Sequence, residues 1–570
     1  MDLRFALAVL HFNVQYVAGG MDGFGVVADD RSAEQIEDQI VKESFEPVLD
    51  LFMAYPTWGH DIEMQGYMLD VIAARHPGVL AKLQTLTGRG QIEVMSFHYA
   101  DQLFLAFPRA AWDHSVTLNR TTFQKWLVPL SGSVFCQEGQ AGMGMAGAMH
   151  DNGYDVLVWP KNLFSYQRGE APEVLYAFGD RAMITSNDLT KIAVGADTVT
   201  LDWTFFDDGE LLATGGNNPY FPSIFVKSDK AVKDYESKLA GLEASGYSIS
   251  TVSKYVSAVR ALAGAKTPPP APPPLLDGTW QPNSTDGIEK WLGGRGLLFR
   301  DERDNDVRSL QALAQREILV AETLAKQAGG VPPDIAYAWR LLALGEVSDA
   351  SGINPFRGEV EYGLAHAAEA LRIARDVIAS SKTKLGITGT AAIDTATGSV
   401  TPGAPPADAS TPVDLPIAIT ANAGDRDASV SASKLEDGHF VVTARAPAAA
   451  GDSDGNFAVT FPGTLGDIVY TPGLTDSPVA IARDGFVFDH FYLALSDGLV
   501  GLGGGWFAIE DQSAVHAGAR STKTSGDVTF PDDTAHADET QTWRFHLVQG
   551  DMARAAGVAR ALNVTPKVWR

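Results

Sequence analysis

A chain of 570 residues outgrows a single hydrophobic core, so two to four domains are expected. Hydrophobic residues at 45% and charged ones at 20% are ordinary for a globular protein, but a formal charge of −26 repels nucleic acid and anionic lipid and sets both aside as partners. The single cysteine, Cys136, excludes an internal disulfide framework, and no run of about 18 apolar residues offers a membrane span.

The chain opens on "RFALAVLHF", read as a buried strand. Its apolar run is shorter than a signal core and passes straight into polar residues, so the cytoplasm is the default location unless an export signal has been removed. "AEQIEDQIVKESFEPVLDLFMAY" spaces its apolar residues by three and four, which predicts an amphipathic helix. "GYMLDVIAARHPGVLAKLQTLTGRG" reads as helix, proline break, helix and glycine stop, and "QIEVMSF" as a strand. "AMHDNGYDVLVW" gives a helix end, a turn and a strand; "DTVTLDWTFF" gives a strand and "KAVKDYESKLAGLEASGY" a helix. Such alternation predicts parallel strands under a helical layer.

The rest of the chain changes character. "GAKTPPPAPPPLLDGTW" is a stiff proline-rich connection. "SLQALAQREILVAETLAKQ" and "YGLAHAAEALRIARDVIASS" predict a helical bundle, and "GTAAIDTATGSVTPGAPPADAS" reads as a linker. "HFVVTARA", "NFAVTFPG", "GFVFDHFYLAL" and "TQTWRFHLVQG" alternate in the manner of an antiparallel sandwich. The fold class is therefore α/β: an incomplete (β/α)7-type barrel over 1–265, a connection and bundle over 266–388, a linker over 389–412 and a β-sandwich over 413–570.

In parallel α/β domains, side chains at the carboxyl ends of strands converge on one mouth. After strand one come His11, Asn13 and Gln15, which alternation places on one side of the chain as ligand contacts or as a hydrogen-bond network. After "YPTWG" come His60, Asp61 and Glu63. The two acids suit a helix N-terminus, whereas Trp58 and His60 are open to a substrate role. His98, Tyr99, Asp101 and Gln102 follow "QIEVMSF" as a dense polar-aromatic group, and Trp159 is a further candidate sugar platform. Glu138 follows "SVF" just before a glycine-rich stretch. Asp207 and Asp208 end "TVTLDWTFFDD", and Asp202 lies inside it, where a carboxylate needs a partner or a cavity. Two carboxylates from two strand ends, among aromatic rings, are what glycoside hydrolysis requires. The twelve histidines include no His-x-His and no His-Glu-x-x-His, and neither metal nor cofactor is expected.

These stretches resemble glycoside hydrolase family 57. "LHFNVQY" parallels the family's opening His-x-His-Gln-Pro, with His11 on the first histidine, Asn13 on the second, and the Gln and Pro altered. "RHPGVLAKLQTLTGRGQIEVMSFHYADQLF" follows the family's next helix, strand and polar loop in shape. In "VFCQEGQAGMGMAGAMHDNGYDVLVW" the resemblance implies that Glu138 is the nucleophile, with Gln137 where the family has proline. In "FFDDGELL" it implies Asp208 as the acid/base, with Asp202 of "TLDW" as runner-up, and in "LGEVSDASGINPFRGEVEYG" a sugar contact from Asp349 beside Ser348, with Asn354 and Arg357 close behind. The implied activity is a retaining α-glycoside hydrolase or transglycosylase working on an α-linked glucan or galactoside by double displacement. A metal-dependent sugar deacetylase or mannosidase-like hydrolase, and a non-catalytic carbohydrate-binding protein on the same scaffold, stand as alternatives.

Overall fold

The computed structural model describes residues 2–15, 32–171, 173–186, 190–194, 196–214, 225–263, 269–280, 304–351, 357–404, 412–424, 427–447, 457–532 and 540–570. The chain falls into two compact units. The first holds residues 1–101, 115–141 and 145–275, and the second holds 102–114, 142–144 and 276–570.

The strands of the first unit are β1 (Asp2–Phe12), β2 (His60–Met64), β3 (Ile92–Met95), β4 (Ser133–Val134), β5 (Val156–Trp159), β6 (Tyr176–Phe178), β7 (Arg181–Thr185), β8 (Thr190–Val194), β9 (Asp197–Asp208) and β10 (Ser248–Ile249). One sheet runs β3-β2-β1-β9-β8, with β10 beside the start of β1, and a second runs β4-β5-β7-β6. Among the described residues of this unit, only β8 and β6 are antiparallel to their neighbours. A parallel bridge between Val94 and Leu130 carries the order from β3 towards β4. The parallel strands thus follow one another as β9-β1-β2-β3 and β4-β5-β7, an open barrel. Residues Ala6–Leu10 of β1 are almost wholly buried, as expected of a parallel strand covered on both faces.

The amphipathic helix predicted over 33–55 forms as Ala33–Gln39, a π-helical segment Ile40–Phe45, and Glu46–Ala54, opened by a capping box between Ser32 and Gln35. The proline break falls where expected, between Gly66–Arg75 and Pro77–Gly88. The described part of the proline-rich connection, 269–280, contains neither helix nor strand of two or more residues. It is pinned to the first unit by Ala177 N–H to the Pro270 carbonyl (2.8 Å) and Arg168 Nε to the Pro274 carbonyl (2.8 Å).

In the second unit, helices Asp304–Gln327, Pro333–Gly345 and Arg357–Lys384 pack as a bundle around Ile318, Leu324, Trp339, Leu342 and Ala374. The sandwich pairs a five-stranded with a seven-stranded antiparallel sheet. Phe457 meets Trp543 at 5.0 Å and Phe461 meets Phe545 at 5.2 Å between ring centroids across it.

The expected linker needs correcting. Ala391–Asp394 and Ser399–Pro402 form a hairpin, joined on its other edge by Lys567–Trp569. Ile393 is fully buried in the bundle core, which fixes this short hairpin in spite of its small-residue composition.

Candidate functional site

The site is built on register. His11 on β1 is paired with Glu63 on β2 and, on the other side, with Asp208 on β9. In-register residues of parallel neighbours share a face of the sheet, so Glu63, His11 and Asp208 form a row near the carboxyl ends of three adjacent strands. His11 Nδ1 donates to Glu63 Oε2, with both side chains buried. Gln65 Nε2 adds a longer contact to the same oxygen, at 3.3 Å.

Gly209 follows Asp208 and gives its N–H to the His11 carbonyl. A Cβ there would lie 2.7 Å from the Phe12 ring and 2.9 Å from the His11 carbonyl oxygen, so only glycine allows this approach. The next residue, Glu210, opens the short helix Glu210–Thr214 and is fully buried. Its Oε1 accepts the Asn13 N–H, and its backbone carbonyl accepts the Ser44 hydroxyl at 2.6 Å. The chain after β1 is held in turn: Asn13 Oδ1 accepts the Gln15 N–H (2.6 Å), and Gln15 Oε1 accepts the Asp101 N–H (3.4 Å).

The end of β4 closes on the same face. The Phe135 ring meets His11 edge-on at 6.3 Å and Phe206 at 4.9 Å. Three residues further on, Glu138 is 8% exposed and left-handed, at φ 55° and ψ 20°. A glutamate in that region carries backbone strain of about 1–3 kcal/mol, which clusters at functional sites. Gln137 Nε2 donates to its Oε1 at 3.2 Å.

Burial would strip His11 of its proton, but the charge and hydrogen bond of Glu63, then the charges of Asp208 and Glu210, push its pKa well above the ordinary value. Asp208 is pushed up to about 6 by burial and by neighbouring Asp207, with the His11 cation pulling the other way. Glu210 is pushed up to about 8 by burial and by Asp208, against the pull of His11 and the Asn13 N–H. Burial raises Glu63, which His11 draws down, and burial followed by the Glu63 charge raises the Cys136 thiol far above its usual range. His98 is pushed down to about 3 by burial and, to a lesser degree, by the His11 cation.

The structure thus brings together His11, Asn13, Gln15, His98, Asp101 and Asp208, and Glu138 lies on the segment whose Phe135 meets the His11 ring. Asp202, His60, Trp58, Tyr99 and Trp159 stand elsewhere in the first unit. Phe12 packs on Phe45 and His60 on Phe52, so that face of the sheet belongs to the helical layer. Asp202 is paired with Ala6, five residues before His11, and so points to the helical face, away from the site. A bulge near Thr204 reverses the alternation between Asp202 and Asp208. His60 lies inside β2, three residues before Glu63 and on the opposite face, with its ring near Tyr235 and Thr204. Trp58 precedes β2, at the amino end of the strand, and stacks flat on Tyr55 at 3.9 Å. Tyr99 turns to the helices, its hydroxyl on Asp70 Oδ2 at 3.0 Å. Trp159 is completely buried beside Phe178 and offers no face to a sugar. Asp349 lies in the turn Ser348–Ser351 of the second unit, and Asn354 falls outside the described residues.

Sequence reasoning missed Glu63 and Glu210. Asp61 and Glu63, expected at a helix N-terminus, belong to β2, and the alternation in "HDIEM" carried that signal. Glu210 was visible only as the last letter of "DDGE". Among the described residues, no three His, Cys, Asp or Glu side chains are gathered as metal ligands.

No protein-family model matches the chain, and no curated protein matches it. Solved structures do. An α-mannosidase from Enterococcus faecalis V583 superposes at TM-score 0.60 with 10% identity, over 100% of this chain and 90% of that one. A protein in glycosyl hydrolase family 38 from Enterococcus faecalis does so at 0.53 and 10%, over 100% and 89%. A family 57 branching enzyme from Thermococcus kodakaraensis reaches 0.45 and 12%, over 66% and 89%. At such identities the first two likenesses are of fold: the chain shares, along its whole length, the architecture of solved glycoside hydrolase structures.

Proposed function

We propose that the chain is a retaining α-glycoside hydrolase or transglycosylase acting at the strand ends of the first unit. The observation that carries the reading is Asp208: a carboxyl held up to about 6 at the end of β9, on the face closed by the strand that leads into the strained Glu138. A general acid must keep its proton near neutral pH, and a nucleophile must be held in one place.

Glu138 attacks the anomeric carbon while the Asp208 proton passes to the glycosidic oxygen, and the bond to the leaving sugar breaks. Asp208, now a carboxylate, takes a proton from water or a sugar hydroxyl, whose oxygen displaces Glu138 from the glycosyl-enzyme. Retention requires the two carboxyl groups to stand about 5–5.5 Å apart. Asn13, Gln15, His98 and Asp101 are the candidate sugar contacts around them.

An α-linked glucan or galactoside is the substrate class carried by the resemblance to family 57. The full-length likeness to an α-mannosidase supports adding α-mannosides. The test is a panel of nitrophenyl α-glycosides and oligosaccharides, with product anomers followed by NMR. Turnover with retention, abolished in Glu138→Gln and Asp208→Asn, supports the reading. Inversion overturns the mechanism. Glycan binding without turnover by the unaltered protein favours the non-catalytic alternative.

A further inference from the structure

Glu63 has no part in the double displacement, yet it is completely buried in the row that contains Asp208. We infer that Glu63 is a positioning residue, which fixes the His11 ring and its charge so that a cation stands beside Asp208; this deepens the hydrolase reading and rests on it.

The geometry is one of levels. Glu63, His11 and Asp208 sit at the same height on three neighbouring strands, with the imidazole between two carboxyls. The Nδ1 hydrogen bond to Glu63 sets the ring plane and places its proton. Glu210 from the helix after β9 and, beyond β3, His98 also act on His11. Cys136 and Glu138 are the titratable groups on the segment after β4, whose Phe135 covers the ring, and Asp207 bears on Asp208. Of the acids around His11, Glu63 is the strongest support of its charge. His11 is in turn the group that draws Asp208 down against burial and Asp207. An acid/base that must lose its proton in one step and regain it in the next needs that restraint.

Glu63→Gln keeps a hydrogen-bond acceptor of the same shape and removes the charge. His11 then loses its proton at lower pH, and Asp208 keeps its own to higher pH. Because kcat/KM falls as the general acid deprotonates, its alkaline limb moves upward. The expected shift is about one pH unit, the effect of losing one opposite charge within about 4–6 Å.

The experiment is a histidine-labelled NMR titration of the full chain and of Glu63→Gln, with His11 assigned by its loss in His11→Asn, beside pH profiles of both proteins. A His11 that stays protonated through pH 7 in the unaltered chain, a lower titration in the variant and an alkaline limb moved upward support the inference. A His11 that already titrates at or below about 6.5 in the unaltered chain overturns it, as does a variant whose kcat/KM falls evenly with no movement of the limb. If the variant does not fold, the titration of the unaltered chain decides. If no glycoside is turned over, the hydrolase reading falls, and the same titration still decides the state of His11.

Discussion

Asp202 and Asp208 lie on the same strand and face opposite ways. Asp208 stands beside His11, Asp202 beside Ala6, and the bulge between them turns an even spacing into opposite faces. The two aspartates that compete in the sequence for the role of acid/base are therefore separated by geometry. Asp208→Asn is expected to lower kcat/KM by about 10²–10⁴, the usual worth of a positioned proton donor. Asp202→Asn is expected to stay within about threefold and to leave the pH profile in place, because a partly exposed residue on the helical side touches no substrate. Steady-state kinetics of both variants decide it, and a larger loss in Asp202→Asn would reverse the assignment.

Glu138 makes stability and activity pull apart. Its left-handed backbone costs a glutamate energy that glycine does not pay. Glu138→Gly is expected to abolish turnover while melting at or above the unaltered protein, with a gain of about 1 kcal/mol before the entropy of the more flexible unfolded chain is subtracted. A clear fall in melting temperature would mean that the Glu138 side chain holds the turn together, instead of being held in it.

His60 shows what was legible in the sequence and what was not. Strand and helix order could be read from periodicity, as could the positions of His11, Glu138 and Asp208 at strand ends, because these signals are local. Facing could not. The acids of "HDIEM" suit a helix N-terminus, whereas the segment is a strand, and one residue of phase decides whether His60 or Glu63 points at the site. The bulge that turns Asp202 away depends on how β9 meets β1, two segments nearly 200 residues apart. The hairpin at 391–402 forms because Ile393 reaches a core contributed by other helices. Each of these is fixed by long-range packing that a short window of sequence does not contain.

The reassignment of His60 predicts a separation of effects. Its ring is completely buried among Phe52, Tyr235 and Thr204, and burial, opposed by backbone hydrogen bonds, pushes its pKa down to about 3. His60→Ala should lower the melting temperature through the cavity it leaves, at about 2–4 °C per kcal/mol. The KM for any substrate found should be unchanged. A raised KM at unchanged kcat would return His60 to the binding site.

Two buried carboxyls in the second unit set an alkaline limit on stability. Glu346 is pushed up to about 8 by burial, although Gln102 Nε2 donates to it at 2.7 Å. Asp277 is pushed up to about 7 by burial, although it accepts the Gly473 N–H at 2.7 Å. A folded pKa above the unfolded value means that the native state holds the extra proton. The stabilisation is therefore complete below about 4 and is lost as pH rises through the folded values of about 7 and 8. Glu346→Gln, which has no proton to lose, should gain on the unaltered protein in melting temperature between pH 5 and pH 8.5, by on the order of 5–10 °C. Parallel curves across that range would show that Glu346 ionises as freely when folded as when unfolded.

Gly209 carries the last prediction, because it ties the fold to the chemistry. The residue lets the end of β9 close on β1, with its N–H on the His11 carbonyl and its missing side chain leaving room for the Phe12 ring. The backbone carbonyl cannot yield without disturbing His11, and Phe12 is wedged against Phe45 at 4.9 Å. Gly209→Ala must therefore part the two strands where His11 faces Asp208. Overpacking of this kind costs about 1–3 kcal/mol, and a misplacement of about 1 Å in a catalytic group can cost about 10² in rate. The variant should melt a few degrees lower and lose kcat more than KM, since what moves is the acid beside its histidine, not the sugar contacts on the loops. Unchanged kcat in a destabilised variant would mean that the alignment of Asp208 with His11 does not limit the reaction.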